Sequence, residues 1–231
     1  MKCGKLFSAI AALGFLCSTA HADEFTAIPA PTLDQTAPAS GMQSIVVAGG
    51  CFWGVQGVFQ HVKGVVSAVS GYTGGKAETA EYEKVGNGDT GHAESVKITY
   101  DPKQVTLGKL LQIYFSVAHD PTQLNRQGPD TGPRYRSAVF PVSEEQANVA
   151  KAYVGQLNKA RVYKAAIVTK IEPNATFYPA EDYHQDYLTL HPTQPYIAYN
   201  DIPKVEALKR MYPSVYNAEP ALVNKSAPRA R

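Results

Sequence analysis

The chain has 231 residues, 44% of them hydrophobic and 18% charged, with 22 Lys and Arg against 20 Asp and Glu. That balance suits one globular domain with a sizeable core. A net charge of +2 excludes the basic footprint of a nucleic-acid binder.

Residues 1–22 read as a secretory signal peptide. Lys2 and Lys5 precede an apolar run from Leu6 to Leu16, and Ala20-His21-Ala22 has the small-x-small form of a cleavage site. The run is short for a bilayer span, and Leu16 is bulky where a lipid attachment site at Cys17 wants a small residue. The expectation is export, to the periplasm of a Gram-negative bacterium. Loss of 1–22 removes two Lys, Cys3 and Cys17, leaving 20 basic against 20 acidic residues and Cys51 as the sole thiol. A lone thiol in an oxidising compartment is either buried and inert or kept for its reactivity.

Residues 23–42 carry Pro29, Pro31 and Pro38 among Ala, Thr and Ser, and read as a flexible spacer. The folded unit is expected over 43–216, and the tail 217–231, with Pro220 and Pro228, is expected to be flexible. Ser44 to Ala48 reads as a short buried strand. Val55, Val58, Phe59 and Val62 then fall at i, i+3, i+4 and i+7, one face of a helix with Cys51 at its amino end. Gly64 to Tyr72 is a second strand, ended by Gly74-Gly75. Ala93 to Tyr100 alternates, with Glu94, Val96, Ile98 and Tyr100 on one face.

Thr106 N-caps a helix whose apolar stripe is Leu107, Leu110, Leu111 and Tyr114. His119 to Arg134 is irregular and rich in Pro and Gly, and loops of that length are more often functional than idle. Arg136 to Pro141 reads as a strand. Ser143 with Gln146 forms a capping box for a helix to about Leu157, and Ala165 to Ile171 is another strand. Helical turns near Glu181–Leu190 and Lys204–Met211 complete the order. It predicts an α+β fold, a mixed-sheet two-layer sandwich of ferredoxin-like, split βαβ topology.

Cys51 read alone is a small buried hydrophobe. Its place at a helix N-terminus favours the thiolate instead, and the preceding Gly49 and Gly50 would let a substrate approach the backbone. Phe52 and Trp53 follow directly and cannot both lie on the helix stripe, so at least one should wall the space beside the sulfur. Glu94 shares a face with a buried row, where desolvation would hold its proton near neutral pH, as a general acid requires. Asp120 before Pro121 is most simply a turn former. Tyr82 and Tyr135 are two of 14 tyrosines, and nothing in their spacing marks them as site residues. His61, His92, His119, His184 and His191 show no metal-ligand spacing, and no phosphate-binding glycine loop is present.

Gly50-Cys51-Phe52-Trp53-Gly54, Gly91-His92-Ala93-Glu94, His119-Asp120-Pro121-Thr122-Gln123, the run from Asp130 to Ser137, and Tyr183-His184-Gln185 with Tyr187-Leu188 occur in that order. Together they resemble the methionine-sulfoxide reductase A family over about Ser44 to Tyr212. The resemblance implies an α+β sandwich and reduction of the S epimer of methionine sulfoxide, free or in proteins. It implies Cys51 as nucleophile, Glu94 as acid, and Tyr82 and Tyr135 as phenols that bind the sulfoxide oxygen. Asp130 would order the site, and Phe52 with Trp53 would hold the substrate methyl group. No metal or organic cofactor is implied. Many members carry a resolving cysteine near the C-terminus, but none follows Cys51 here. The expectation is a monomeric, single-cysteine enzyme recycled by an external thiol, from a thioredoxin-like or glutaredoxin-like partner.

Two other readings fit parts of the sequence. One is a thiol hydrolase pairing Cys51 with a histidine such as His92, which leaves Glu94 unexplained. The other is an exported module that binds methionine peptides on Phe52 and Trp53 without turnover.

Overall fold

The computed structural model describes Phe25, residues 27–35 and residues 41–224, so the expected signal segment 1–22 lies outside the described residues. The first strand β1 (Gln43–Ala48) leads into helix α1 (Phe52–Gln60), then strand β2 (Val65–Thr73), a short helix α2 (Tyr82–Gly86), strand β3 (Ala93–Tyr100) and helix α3 (Leu107–Ile113). A π-turn, Tyr114–Ala118, extends α3. Two-residue strands β4 (Arg126–Gln127) and β5 (Asp130–Thr131) pair as a hairpin within the long loop, where sequence periodicity showed nothing. Strand β6 (Ala138–Phe140), helix α4 (Glu144–Ala160), strands β7 (Lys170–Ile171) and β8 (Phe177–Pro179), and helices α5 (Tyr187–Leu190) and α6 (Ile202–Met211) follow.

The sheet order is β7-β6-β1-β3-β2-β8. All its pairs are antiparallel except β6 with β7, so the sheet is mixed. Its central four strands, β6-β1-β3-β2, carry the split βαβ connection of a ferredoxin-like sandwich, as the element order predicted. Alternation decides which side chains meet the helices. Ile45 and Val47 of β1 join the main core with Val55, Val58 and Phe59 of α1 and Val149, Ala150 and Tyr153 of α4. Val46 and Ala48 point to the other face, into a small cluster with Ala93, Ala138 and Phe140.

Caps follow the sequence signals. Thr106 Oγ1 accepts from Lys109 N at 3.1 Å, and Ser143 Oγ from Gln146 N at 3.2 Å. The Gln146 side chain accepts from Val142 N rather than closing the box on Ser143.

Three expectations need correction. The strand predicted over 165–171 survives only as Lys170–Ile171, because residues 165–169 leave the sheet and Val168 N donates to Pro121 O. The supposed spacer is fixed where it is described. Ile28 is buried in the main core, Gln112 Nε2 donates to Ile28 O, Tyr153 OH donates to Pro29 O, and Asp34 Oδ1 accepts from Gly108 N in the first turn of α3. Extended, proline-rich backbone leaves its carbonyls free to accept from the helices beneath. The tail is likewise held through Asn224. Asn217 N and Ala221 N donate to His61 O and Gln60 O, and Val223 N and Asn224 N donate to the buried Asp186 carboxylate.

Candidate active site

The nucleophile turn is shaped by what packs on its glycines. Gly50 has φ +92, and a Cβ there would come within 2.6 Å of the Gln127 side chain. A Cβ on Gly49 would come within 2.7 Å of the His119 ring. The two glycines therefore admit the 119–136 loop against β1, rather than a substrate, which corrects the sequence reading. Gln127 is itself held by Asp120, accepting from its N–H at 3.0 Å and donating to its carbonyl at 3.1 Å. Asp120 also caps Thr122 and Gln123 as the expected turn former.

Cys51 occupies the N-cap of α1 and is 8% exposed. It opens on a cavity of about 200 Å³ lined by Cys51, Phe52, Trp53, Tyr82, Glu94, Asp130, Tyr135 and Tyr196. Every site residue singled out in the sequence lines this one cavity. The turn after β1 supplies Cys51, α1 the two aromatics, α2 Tyr82, β3 Glu94, the hairpin strand β5 Asp130, and the turn behind it Tyr135.

Glu94 faces α1, with Oε2 accepting from Phe52 N at 3.1 Å. Only 3% of it is exposed. Burial raises its pKa to about 8, with the Phe52 N–H and Arg134 pulling down and the Asp130 and Asp201 carboxylates pushing up. The carboxyl is thus a neutral acid at neutral pH. Cys51 departs from expectation: burial pushes its thiol well above the ordinary range, and Glu94 and Asp201 add to that. A backbone hydrogen bond at Trp53 and the Lys204 charge oppose the rise without overcoming it. The helix terminus does not outweigh desolvation, so Cys51 rests as a thiol and not a thiolate.

The phenols stay protonated. Burial raises the pKa of Tyr82, and burial with the nearby Glu94 pushes Tyr135 up to about 12. The Arg134 guanidinium covers the Tyr135 ring at 4.7 Å. Asp130 Oδ2 accepts from Tyr196 OH.

The aromatic wall is built in two layers. Trp53 stacks on Tyr187 with ring centroids 4.0 Å apart, and its Nε1 donates to His184 Nδ1 at 3.2 Å. His184 also packs on Phe52 at 5.1 Å and Tyr82 at 4.4 Å. A buried glutamine net anchors the two residues that follow His184: Gln56 of α1 bonds Ala68 O of β2 and the Gln185 side chain, and accepts from Asp186 N. Sequence reasoning missed Tyr196, His184 and Tyr187 as parts of the site, and with them Asp201 and Lys204. His184 and Tyr187 stand within the motifs quoted above without a role there, Tyr196 and Asp201 border a π-turn too short to carry a period, and Lys204 lies on α6, whose spacing marks a helix and not a site. Among the described residues, no group of three or more His, Cys, Asp or Glu could hold a metal ion.

A nucleophilic sulfur, a neutral buried acid, two phenol donors and an aromatic wall suit attack on a polarised, weakly basic oxygen-bearing centre next to an apolar substituent. Residues 43–215 match the family model described as peptide methionine sulfoxide reductase. Peptide methionine sulfoxide reductase MsrA 2 of Mesorhizobium japonicum is 63% identical over 185 residues, covering 80% of this chain and 95% of that protein. Its namesake from Synechocystis sp. is 46% identical over 195 residues, covering 83% and 91%. Among solved structures, reduced Mxr1 from Saccharomyces cerevisiae superposes with a TM-score of 0.60 at 34% identity, covering 69% of this chain and 91% of Mxr1. Methionine sulfoxide reductase A of Corynebacterium diphtheriae superposes with a TM-score of 0.57 at 34% identity, covering 69% and 80%. With three quarters of its length matched by one family model, and relatives aligned across nearly their whole length, the chain belongs to the peptide methionine sulfoxide reductase family.

Proposed function

We propose that this enzyme reduces the S epimer of methionine sulfoxide, free or in proteins, with Cys51 as nucleophile and Glu94 as acid. The observation that carries the reading is the buried Glu94 carboxyl, neutral up to about pH 8 and bonded to the amide directly after Cys51. A sulfoxide oxygen leaves poorly until it gains a proton, and a neutral acid beside the attacking sulfur supplies that proton.

The substrate methyl group sits against Phe52 and Trp53, and the oxygen faces the hydroxyls of Tyr82 and Tyr135. Cys51 Sγ attacks the sulfoxide sulfur as Glu94 protonates the oxygen, and the thiol proton replaces the one Glu94 gave. Oxygen transfer then breaks the bond from oxygen to the substrate sulfur and leaves an Sγ–OH on Cys51 with free methionine. The substrate sulfur gains two electrons and Cys51 loses two. Asp130, through Tyr196 OH, holds one wall of the pocket in place.

Cys51 is the free cysteine of the described residues, and no cysteine follows it in the sequence. The sulfenic acid is therefore attacked by an external thiol, releasing water and forming a mixed disulfide that a second thiol reduces. A thioredoxin-like or glutaredoxin-like dithiol suits this role. Residues 1–22 direct export to the periplasm, where such a reductant must reach the pocket, and the catalytic unit acts as a monomer.

Turnover of each methionine sulfoxide epimer with dithiothreitol tests the chemistry. The S epimer is reduced and Cys51→Ser abolishes activity; activity on the R epimer alone, or full activity in Cys51→Ser, overturns the assignment. A thioredoxin lacking its second cysteine should be trapped as a mixed disulfide at Cys51. No disulfide-linked species with any thiol reductant would refute the recycling scheme. Peptide-binding in Cys51→Ser, without any turnover in the wild type, is the outcome that favours a binding module.

A further inference from the structure

Gly54, in the first turn of α1, is pressed by an ion pair from the next layer. A Cβ at Gly54 would overlap Asp201 Oδ1 and lie 2.9 Å from Lys204 Nζ. Lys204 Nζ is 3.0 Å from Asp201 Oδ1, with side chains 12% and 0% exposed. Among the described residues, Asp201 Oδ2 has no hydrogen-bond partner. A buried ion pair gains little over an apolar pair of similar volume, and a buried oxygen left open costs free energy. A π-turn, Ile197–Asp201, followed by Pro203 in the first turn of α6, nevertheless delivers both charges to the helix end that carries Cys51. The pair is thus placed for charge, not for stability.

The attacking sulfur has need of it. The groups around Cys51 are the Glu94 carboxyl from β3, the Tyr82 hydroxyl from α2, Asp130 and Tyr135 from the long loop, and Tyr196 from the turn before α6. All are neutral or negative. Arg134, nearer the rim, is spent on the Tyr135 ring and on Gly86 O. Lys204 supplies a positive charge to the sulfur and Asp201 a negative one.

Resting on the reading of Cys51 as nucleophile, we propose that Lys204 is a positioning residue: held by Asp201 against the first turn of α1, it stabilises negative charge on the Cys51 sulfur as the thiol proton leaves. Asp201 is the counter-charge that limits the effect and favours the protonated sulfur. The two residues therefore act on Cys51 with opposite sign, whereas a salt bridge that served packing alone would leave the Cys51 titration unmoved.

The test reads the thiol directly, without sulfoxide chemistry. The rate of Cys51 alkylation by iodoacetamide, followed at the Cys51 peptide, is measured against pH in the wild type, Lys204→Met, Lys204→Arg and Asp201→Asn. The Lys204→Met midpoint is expected to rise by about one pH unit or more and the Asp201→Asn midpoint to fall by a similar amount, the scale of a nearby charge. Lys204→Arg restores the wild-type midpoint. At neutral pH, kcat/KM of Lys204→Met falls about tenfold, as a one-unit shift in thiolate fraction requires. Lys204→Gln serves in place of Lys204→Met if the latter lacks the wild-type circular dichroism spectrum. Midpoints that do not move, or that move in the same direction in both charge variants, overturn the proposal. Turnover in Cys51→Ser would instead overturn the underlying reading of the nucleophile, so the two failures are distinct.

Discussion

Trp53 Nε1 donates a 3.2 Å hydrogen bond to His184 Nδ1, which holds the indole at the pocket and leaves the imidazole proton on Nε2. Burial lowers the His184 pKa, so the ring stays neutral near pH 7. The residue that orients the substrate wall thus lies behind it.

Replacing His184 by Phe keeps a ring of similar girth against Phe52 and Tyr82 but removes the acceptor. The KM for methionine sulfoxide should rise about fivefold, the value of a hydrogen bond of about 1 kcal/mol, with kcat less affected. Acid should do the same to the wild type. The folded pKa lies below the ordinary histidine value, so the contribution of this bond is complete above that value and is lost as pH falls through the folded pKa. Wild-type KM should therefore climb on acidification, while that of His184→Phe changes less. Steady-state kinetics across the acid range check both.

Glu94→Gln should lower the turnover rate by about 10²–10⁴-fold, the usual scale of general acid catalysis. In the wild type, kcat should decline as pH rises through about 8, where the acid ionises. Stability carries the same sign. Because burial raises this carboxyl above its unfolded value, the native state holds an extra proton in the window between them, and stability falls as pH rises through it. Glu94→Gln has no such loss. Urea midpoints at about pH 6 and about pH 9, bracketing the titration, should diverge for the wild type and stay parallel to other residues' trend in the variant.

Two glycine substitutions should move stability in opposite directions. Gly50→Ala forces a Cβ onto Gln127 at a left-handed backbone position and should cost about 1–3 kcal/mol. Gly155, exposed within α4, has no atom of the described residues within 4 Å of an added Cβ. Gly155→Ala should gain about 0.5–1 kcal/mol. Denaturant midpoints at constant m-value distinguish the two.

Asp186→Ala removes the acceptor of three hydrogen bonds, from Gln60 Nε2 at 2.6 Å, Val223 N at 2.9 Å and Asn224 N at 2.8 Å. A cost of about 3 kcal/mol follows from losing charge-assisted bonds at a fully buried site. Hydrogen exchange should show the Val223 and Asn224 amides losing protection, whereas a mere loss of helix α5 would unprotect Leu190 and His191 as well.

The central sheet and α1 were legible because their signals are local and repeated. Val55, Val58, Phe59 and Val62 mark one helical face, and the β3 alternation places Glu94 among buried residues without reference to the rest of the chain. Cys51, Phe52 and Trp53 could be placed by their offset from that face. Tyr82, Tyr135 and Asp130 came from resemblance, because each stands on a two- to five-residue element too short to carry a period. Tyr196 and Asp201 were illegible for the same reason, since a π-turn has no pattern of its own, while Lys204 lies on α6, where a lysine reads as a solvated helix residue. The protonated state of Cys51 was misjudged because the helix terminus is visible in sequence while the depth of burial is not. Gln56 and Gln60 gave no warning either: a glutamine beside an apolar stripe reads as solvent-facing until Gln185 and Asp186 arrive to meet it.

Ile28 in the core and Asp34 on α3 set where the enzyme can be cut. The family match begins at residue 43, and a cut there keeps every matched residue. It would in fact strip the acceptors from Gln112 and Tyr153 and uncap the first turn of α3. Homology ends where relatives stop sharing sequence, and cooperativity ends where the last buried contact is made. For protein production, the sound N-terminal limit therefore lies ahead of Ile28, about fifteen residues upstream of the shared domain.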